Sequence, residues 1–521
     1  MAKRMRRRAD PAWLLWPRHF LPRRHMEEFL VSFFVSGWGL TALSVAAYSV
    51  GAAVVIHILR QRKAPMAMLA WILGILTFPL IGVLLYYVIG EERVVRRGRK
   101  KRRKSAYIIQ ALGSAGQTEA KRDLLFKPHD LKFCPVLEGG LLRLAQISGK
   151  LAQSPLTLGN KVEVFTSAQS IYDHILRAID GAREHIHLEY YIFRPDETGA
   201  LFRDRLAEKA RRGVEVRLLL DGIGCFGTSR RFLRPLIEAG GRVETFLPAI
   251  PLRQPWHINC RNHRKIVVVD GEVAFTGSQN VGDEYRGRWR RVGPWKDTHL
   301  RVEGPAAREL QEVFIEDWYF ACKEDLVGKR YLKSARAAGE SLVQIVPSGP
   351  DQPVDVLHHV VFAAIGMARE SIRISTPYFV PDPALLVALA NASHQGVRVE
   401  ILIPSKNDLK LVLWAGRSFY EELVREGVSI HEFDHGMLHS KTIVIDDRWS
   451  MVGSANMDMR SFVSNFEVTA SIFDPGISVS LAADFANDLS RSRRIRARKP
   501  GHAPFVPSIL EGGARLLAPL L

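Results

Sequence analysis

One eighteen-residue pattern occurs twice in this chain without a gap, as HRKIVVVDGEVAFTGSQN at 263–280 and as HSKTIVIDDRWSMVGSAN at 439–456. Each copy sets a Lys two residues after its His, an Asp seven after, a Gly-Ser pair from fourteen and an Asn at seventeen. One His-x-Lys match constrains little. Recurrence at every offset means duplication, so the chain must build two similar halves.

The likeness continues outside the motif. AREHIHLEYYIFRPD (182–196) aligns with ARESIRISTPYFVPD (368–382), GVEVRLLLDG (213–222) with GVRVEILIPS (396–405), and GGRVETF (240–246) with EGVSIHEF (426–433). These short apolar runs, rich in β-branched residues and separated by helical stretches such as ALFRDRLAEKARR (200–212), read as strands buried on both faces. The expected fold class is α/β, with two similar α/β/α halves at 136–335 and 336–521.

The 521 residues exceed what one core usually holds, and the N-terminal part differs in composition. Residues 29–59 contain no charge apart from His57, and residues 64–90 contain none. A bilayer core takes about 20 apolar residues per helix, so two transmembrane helices are expected, the second kinked at Pro79. Basic residues flank them: a tail at 1–28, the Arg60, Arg62 and Lys63 loop, and a juxtamembrane linker at 91–135. Through Lys104 these segments hold twenty Lys and Arg against five acids, or +15 of the chain's +19. A nucleic-acid footprint would lie on the folded domain, so nucleic acid is not the expected partner. Such flanks instead favour anionic lipid and, by the positive-inside rule, place both ends in the cytoplasm. Cys134, Cys225, Cys260 and Cys322 are scattered without metal-ligand spacing, as suits a reducing compartment.

On an extended chain alternate residues share a face, so His263 projects with Lys265 and His439 with Lys441. Two imidazoles and two ammonium groups at one cleft suit a phosphodiester: one neutral His attacks phosphorus and one protonated His releases the leaving oxygen. Lys265, Lys441, Asn280 and Asn456, with Ser278 and Ser454 at the phosphate-facing turns, are the candidates for holding the non-bridging oxygens. Burying two lysines without an anionic ligand would cost on the order of several kcal/mol. The chemistry needs no metal or other cofactor. KDTHLRVEGP (296–305) aligns with FEVTASIFDP (466–475), which makes Asp297 and Glu467 the candidates for orienting the histidines, each shortly after its own motif. Asp270 and Asp446 are the alternative, otherwise bracing the site. His185, His187, His257, His358 and His359 read as structural. Tyr190, Tyr191, Phe193, Tyr378 and Phe379 are candidates for an acyl-accommodating entrance.

The paired H-x-K-x4-D motifs resemble the phospholipase D superfamily. Within it, APMAMLAWILGILTFPLIGVLLYYVIGEE, HLEYYIF, RNHRKIVVVDG, TPYFVPD, HSKTIVID, VGSANMDMRS, NFE and ARLLAPLL, in this order, are similar to the bacterial cardiolipin synthases. The resemblance covers the chain from about Phe29. It implies one active site shared between the halves, with His263, Lys265, Asp270, His439, Lys441 and Asp446 as its motif residues. It also implies transfer of a phosphatidyl group from one phosphatidylglycerol to another through a phosphatidyl-histidine, on the cytoplasmic side of a bacterial inner membrane. By analogy His263 is the nucleophile and His439 the acid and then the base. The first copy departs from the family at Gly277-Ser278, where related synthases often carry two glycines. Two rivals fit the same residues: a membrane-anchored hydrolase of the same fold that uses water, and a non-catalytic scaffold for anionic lipid, which two intact His-Lys pairs argue against.

Overall fold

The computed structural model describes residues 37–61, 65–87, 125–126, 136–248, 260–287, 293–326, 328, 330–333, 336–497 and 505–518. The basic tail, the outer end of each expected span, nearly all of the basic linker, Cys134 and His257 lie outside the described residues. The chain divides into two units, Met1–Glu91 and Glu92–Leu521.

In the first unit, α1 (Gly37–Leu59) contains Gly39–Leu59, a stretch long and apolar enough to cross a membrane. The second apolar stretch is two helices, α2 (Pro65–Thr77) and α3 (Pro79–Leu85), broken at Phe78 with φ −133° and ψ 78°. The reason is Pro79, which has no N–H to donate and whose ring pushes the preceding residue out of helical geometry. The second span, expected as one helix kinked at Pro79, is therefore corrected to two shorter helices that meet there. Among the described residues only α1 has the length and hydropathy of a span. Tyr86 ties the unit together, packing edge-on against Trp71 at 5.5 Å and donating to Gln61 Oε1 at 3.1 Å.

The second unit is built on one sixteen-stranded sheet, fifteen strands in a row and a two-residue strand, Leu125–Phe126, paired with Leu156 and Thr157. Its first half runs α4 (Gly139–Ala152), β1 (Leu156–Phe165), α5 (Ala168–Gly181), β2 (His185–Tyr190), α6 (Glu197–Arg211), β3 (Glu215–Asp221), α7 (Arg230–Glu238), β4 (Arg242–Phe246), β5 (Ile266–Val269), β6 (Val273–Gly277), β7 (His299–Glu303) and α8 (Pro305–Cys322). The second half repeats this as β8 (Ser341–Ser348), α9 (Val356–Met367), β9 (Ser371–Ser375), α10 (Pro383–His394), β10 (Arg398–Pro404), α11 (Lys410–Arg425), β11 (Ser429–Phe433), β12 (Thr442–Ile445), β13 (Trp449–Gly453), β14 (Glu467–Phe473) and α12 (Pro475–Ser490), then adds β15 (Ser492–Arg494) and α13 (Phe505–Leu516).

Across the sheet the order is β15-β11-β10-β9-β12-β13-β14-β8-β1-β7-β6-β5-β2-β3-β4. Apart from β15 it reads the same from either end in equivalent strands, so the halves are related by a pseudo-twofold at the β8–β1 junction. There the strands run antiparallel, with Val343 opposite Thr157. In each half three strands are parallel, β2-β3-β4 and β9-β10-β11, because helical crossovers return the chain to the same edge. Their residues are buried on both faces, as in HIHLEY of β2. The repeated Phe-x-Pro-Asp ends each first strand: Phe193 and Phe379 enter the core, while Asp196 and Asp382 cap α6 and α10 by accepting from Gly199 and Leu385 N–H at 2.9 and 3.0 Å.

Helices α8 and α12 cover the centre of one face, where Ala306, Leu310 and Val313 share a core with Leu481 and Ala482. Helix α4 precedes the first repeat in sequence but packs in the second half. Its Leu144, Ala145 and Ala152 join the core that holds Val360, Val361 and Ala364 of α9.

Candidate active site

The catalytic candidates stand just before regular strands rather than within them, since β5 begins at Ile266 and β12 at Thr442. Both His-x-Lys segments are lead-ins that cross to the other half. His263 N–H donates to Phe466 C=O at 2.9 Å, and His439 N–H donates to Lys296 C=O at 2.7 Å. Met437 and Leu438 pair in parallel with Trp295 and Lys296. The residues following those two carbonyls are Glu467 and Asp297, so backbone pairing brings each histidine to the opposite half's carboxylate.

Side chains complete the crossing. His263 Nδ1 lies 3.0 Å from both oxygens of Glu467, and His439 Nδ1 lies 2.5 Å from Asp297 Oδ1. A carboxylate on Nδ1 fixes that nitrogen as the donor and leaves Nε2 with its lone pair for a substrate. Asp297 and Glu467 are fully buried. Ser278 Oγ donates to Asp297 at 2.7 Å and accepts from Thr298 N–H at 2.9 Å, while Ser454 Oγ donates to Glu467 at 2.5 Å and accepts from Val468 N–H at 3.0 Å. The glycine before each serine is obligatory, because a Cβ at Gly277 or Gly453 would lie 2.5 Å from the Thr298 or Val468 carbonyl oxygen.

Lys265 and Lys441 are buried, and each Nζ donates to the carbonyl of its own motif histidine, at 2.5 and 2.8 Å. Burial pushes Lys441 down to about 8 against the attraction of Asp297 and Glu467. Burial pushes Lys265 well below the usual lysine range, with Glu467 opposing and Lys441 adding to the shift. Both ammonium groups thus lie within electrostatic reach of both carboxylates. Burial holds His263 at about 4 despite Glu467, and holds His439 at about 4 with help from Lys441 and against Asp297. Burial would raise Glu467, but His263 and Lys265 keep it at about 2, and Asp297 is likewise kept low by His439. Two neutral imidazoles, two carboxylates and two lysines leave the site close to neutral before an anion arrives.

The structure corrects several of the roles expected from the motif. Ser278 and Ser454 do not face phosphate; their hydroxyls are buried against the orienting carboxylates. Asp270 and Asp446 lie at the far ends of β5 and β12, on the order of 20 Å from the histidines by strand rise. Each accepts three backbone N–H donors at 2.8–2.9 Å, from Arg183, Glu184 and His185 and from Arg369, Glu370 and Ser371. They brace loops and touch no reacting group. Asn280 accepts from Ile192 N–H at 3.1 Å and donates to Tyr285 Oη at 2.8 Å, which commits its carbonyl and one of its two amide protons to the fold. The Asn456 side chain bonds Asp458, and its Oδ1, an acceptor, is buried without a partner.

Of the aromatic candidates, Tyr190, Phe193 and Phe379 are core residues. Tyr191 packs edge-on against His263 at 4.9 Å and lies 5.4 Å below Lys265 Nζ. On the other side Trp295 and Tyr285 pack 5.0 and 5.9 Å from His439. Trp295 and Tyr285 escaped sequence reasoning because the repeat offers Asn465 and Ser461 in their places. Arg264 escaped it too: its Nε donates to Glu467 C=O at 3.0 Å, its Nη2 donates to Ser348 C=O at 3.1 Å, and it pairs with buried Asp317. His187 is structural, bonded to Gln311 and stacked on Phe314 at 4.6 Å. Among the described residues no three His, Cys, Asp or Glu side chains are grouped as metal ligands.

Residues 175–318 and 361–489 match the family described as "Cardiolipin synthase, PLD-like domain". The chain is 37% identical over 490 residues to a cardiolipin synthase of Alkalihalophilus pseudofirmus, covering 94% of this chain and 95% of that one. The chain belongs to the cardiolipin synthase family. A Geobacillus kaustophilus cardiolipin synthase is 38% identical over 466 residues, covering 88% of this chain and 90% of that protein. Residues 52–91 match the family described as "Phospholipase D-nuclease N-terminal". The fold is shared with the crystal structure of a Haemophilus influenzae phosphatidylserine synthase, with TM-score 0.55 and 16% identity over 73% of this chain and all of that one.

Proposed function

We propose that this cardiolipin synthase family member joins two phosphatidylglycerol molecules into cardiolipin and releases glycerol. The observation that carries the reading is the crossed pair of imidazole–carboxylate couples, one from each half, beside two buried lysines. A phosphodiester entering between them brings the negative charge that offsets lysine burial and raises the imidazole pKa values from about 4. One imidazole then holds a proton while the other attacks.

In the first step His263 Nε2 forms a bond to phosphorus, the bond to the glycerol oxygen breaks, and His439 Nε2–H protonates that oxygen. Glycerol leaves. In the second step the primary hydroxyl of another phosphatidylglycerol loses its proton to His439 and attacks phosphorus, breaking the P–N bond to His263. Lys265 and Lys441 stabilise the five-coordinate charge in both steps. Glu467 and Asp297 keep the two tautomers correct throughout. α1 anchors the chain, α2 with α3 forms a second, broken crossing, and the basic flanks keep the catalytic unit on the cytoplasmic face of the bacterial inner membrane.

The test is the purified full chain in mixed micelles of phosphatidylglycerol. Cardiolipin and glycerol in equal amounts are expected, and both are lost in His263→Ala and in His439→Ala. Phosphatidic acid without cardiolipin would instead establish the hydrolase, and cardiolipin formation that survives either substitution would refute the mechanism.

A further inference from the structure

The parallel strands β3 and β10 end on the same side of the sheet as the catalytic histidines, and the loops that follow them are pseudo-twofold equivalents. Both loops are fastened to the site. Residues 222–229 are held through Cys225 Sγ, 3.2 Å from the carbonyl of Tyr191, whose ring packs on His263. Residues 405–409 are held through Asn407 Nδ2, which donates to Pro377 C=O at 2.9 Å, and through Asp408, which accepts from Tyr378 Oη at 2.9 Å. The charge of Asp408 also reaches Lys441.

Each loop lifts large apolar side chains into solvent. Phe226 is 81% exposed, Leu409 is 51% exposed and Leu411 is 39% exposed. Scattered exposed leucines are ordinary, but equivalent apolar tips on both sides of one site are not explained by chance exposure. Basic residues shoulder each tip: Arg230 and Arg231 beside Phe226, Lys406 and Lys410 beside Leu409. All four are exposed, and none has an ion-pair partner among the described residues. Asp408, between Lys406 and Lys410 in sequence, accepts from Tyr378 Oη.

We propose that these two loops form a rim that docks the catalytic unit on an anionic bilayer, the apolar tips entering the interface and the four cations meeting lipid phosphates. An apolar tip with basic shoulders is the composition that lies in a headgroup boundary, where each Lys or Arg adds attraction to anionic lipid. The rim seats the histidines over the plane that holds both lipid substrates. The proposal extends the phosphatidyl-transfer reading and rests on it for the location of the substrate.

Two measurements on the full chain test it. In nanodiscs of phosphatidylglycerol with phosphatidylcholine, amide hydrogen exchange at 222–231 and 405–412 is expected to slow about tenfold relative to discs of phosphatidylcholine alone. Equal exchange in both discs would overturn the proposal, as would protection that tracks protein concentration in lipid-free detergent, which marks contact between copies. In the second, Phe226→Ser with Leu409→Ser is expected to raise KM for vesicle phosphatidylglycerol about tenfold and leave turnover of monomeric short-chain phosphatidylglycerol unchanged. Equal loss on both substrates, or no loss on either, would overturn it. A wild-type chain that makes no cardiolipin from either lipid would sink the phosphatidyl-transfer reading, while the exchange measurement still judges the rim.

Discussion

Replacing Glu467 with Gln isolates the crossing of the two halves. The Glu467 carboxylate is fully buried and receives His263 Nδ1 at 3.0 Å on both oxygens, Ser454 Oγ at 2.5 Å and Asn465 Nδ2 at 3.4 Å. An amide keeps the shape but turns one acceptor into a donor. Its N–H then faces His263 Nδ1, which must accept, and the imidazole proton moves to Nε2, the atom proposed to attack phosphorus. A wrong tautomer in an otherwise intact site costs about 10³–10⁴ in turnover, or roughly 4–5.5 kcal/mol of barrier. Lys265 also loses the attraction that opposes its lowering, so a raised KM is expected alongside the fall in turnover. The assay is phosphatidyl-enzyme formation from labelled phosphatidylglycerol with alkaline quenching, which preserves a P–N bond. Glu467→Gln must fall in the same class as His263→Ala, and Asp297→Asn in the same class as His439→Ala. The class attached to the nucleophile shows no labelling, and the class attached to the acid retains slow labelling. If Glu467→Gln behaves like His439→Ala, or keeps more than about a tenth of wild-type turnover, the crossed pairing does not operate.

Lys441, lowered to about 8, is charged below that pH and neutral above it, so kcat/KM is expected to fall on an alkaline limb near pH 8, measurable by initial rates across pH. Because its folded pKa lies below 10.5, the unfolded chain binds more protons between about pH 8 and 10.5, and stability contributed by this group rises with pH in that window. Lys441→Met removes a buried charge held at a cost of about 3 kcal/mol, and the variant is expected to resist denaturant better than wild type while losing synthesis. Ser278→Ala and Ser454→Ala each remove one donor from an orienting carboxylate, and kcat is expected to drop about tenfold with KM unchanged, read from saturation curves. Asp270→Ala leaves three backbone N–H groups without their acceptor in a partly exposed loop. A loss of about 1–2 kcal/mol in denaturant stability is expected, with unchanged turnover per folded molecule.

Much of this arrangement was legible in the residues. The gapless repeat announced two equivalent halves, and the alternating helical and β-branched stretches announced strands buried on both faces. Asp297 and Glu467 stood out because they align with one another. What misled was treating each copy as self-contained. Ser278 looked like part of a phosphate-facing turn because phosphate-binding turns are rich in Gly and Ser, yet its neighbour Gly277 is required by a 2.5 Å approach to another strand. The interruption of the second span was legible in Pro79, which lacks a backbone donor, but that it separates two short helices was decided only by the backbone at Phe78.

Sequence by itself determined which groups are candidates for the chemistry, since two imidazoles and two ammonium groups in a repeated pattern suit an anionic phosphodiester. It also determined that the groups come in two sets, through duplication. Which carboxylate serves which histidine was decided only in three dimensions. Backbone bonds from His263 to Phe466 and from His439 to Lys296 carry each motif across the pseudo-twofold, and no local pattern encodes a contact between residues 204 positions apart. The lowered pKa values arise the same way, because desolvation belongs to the packed whole and not to any single residue.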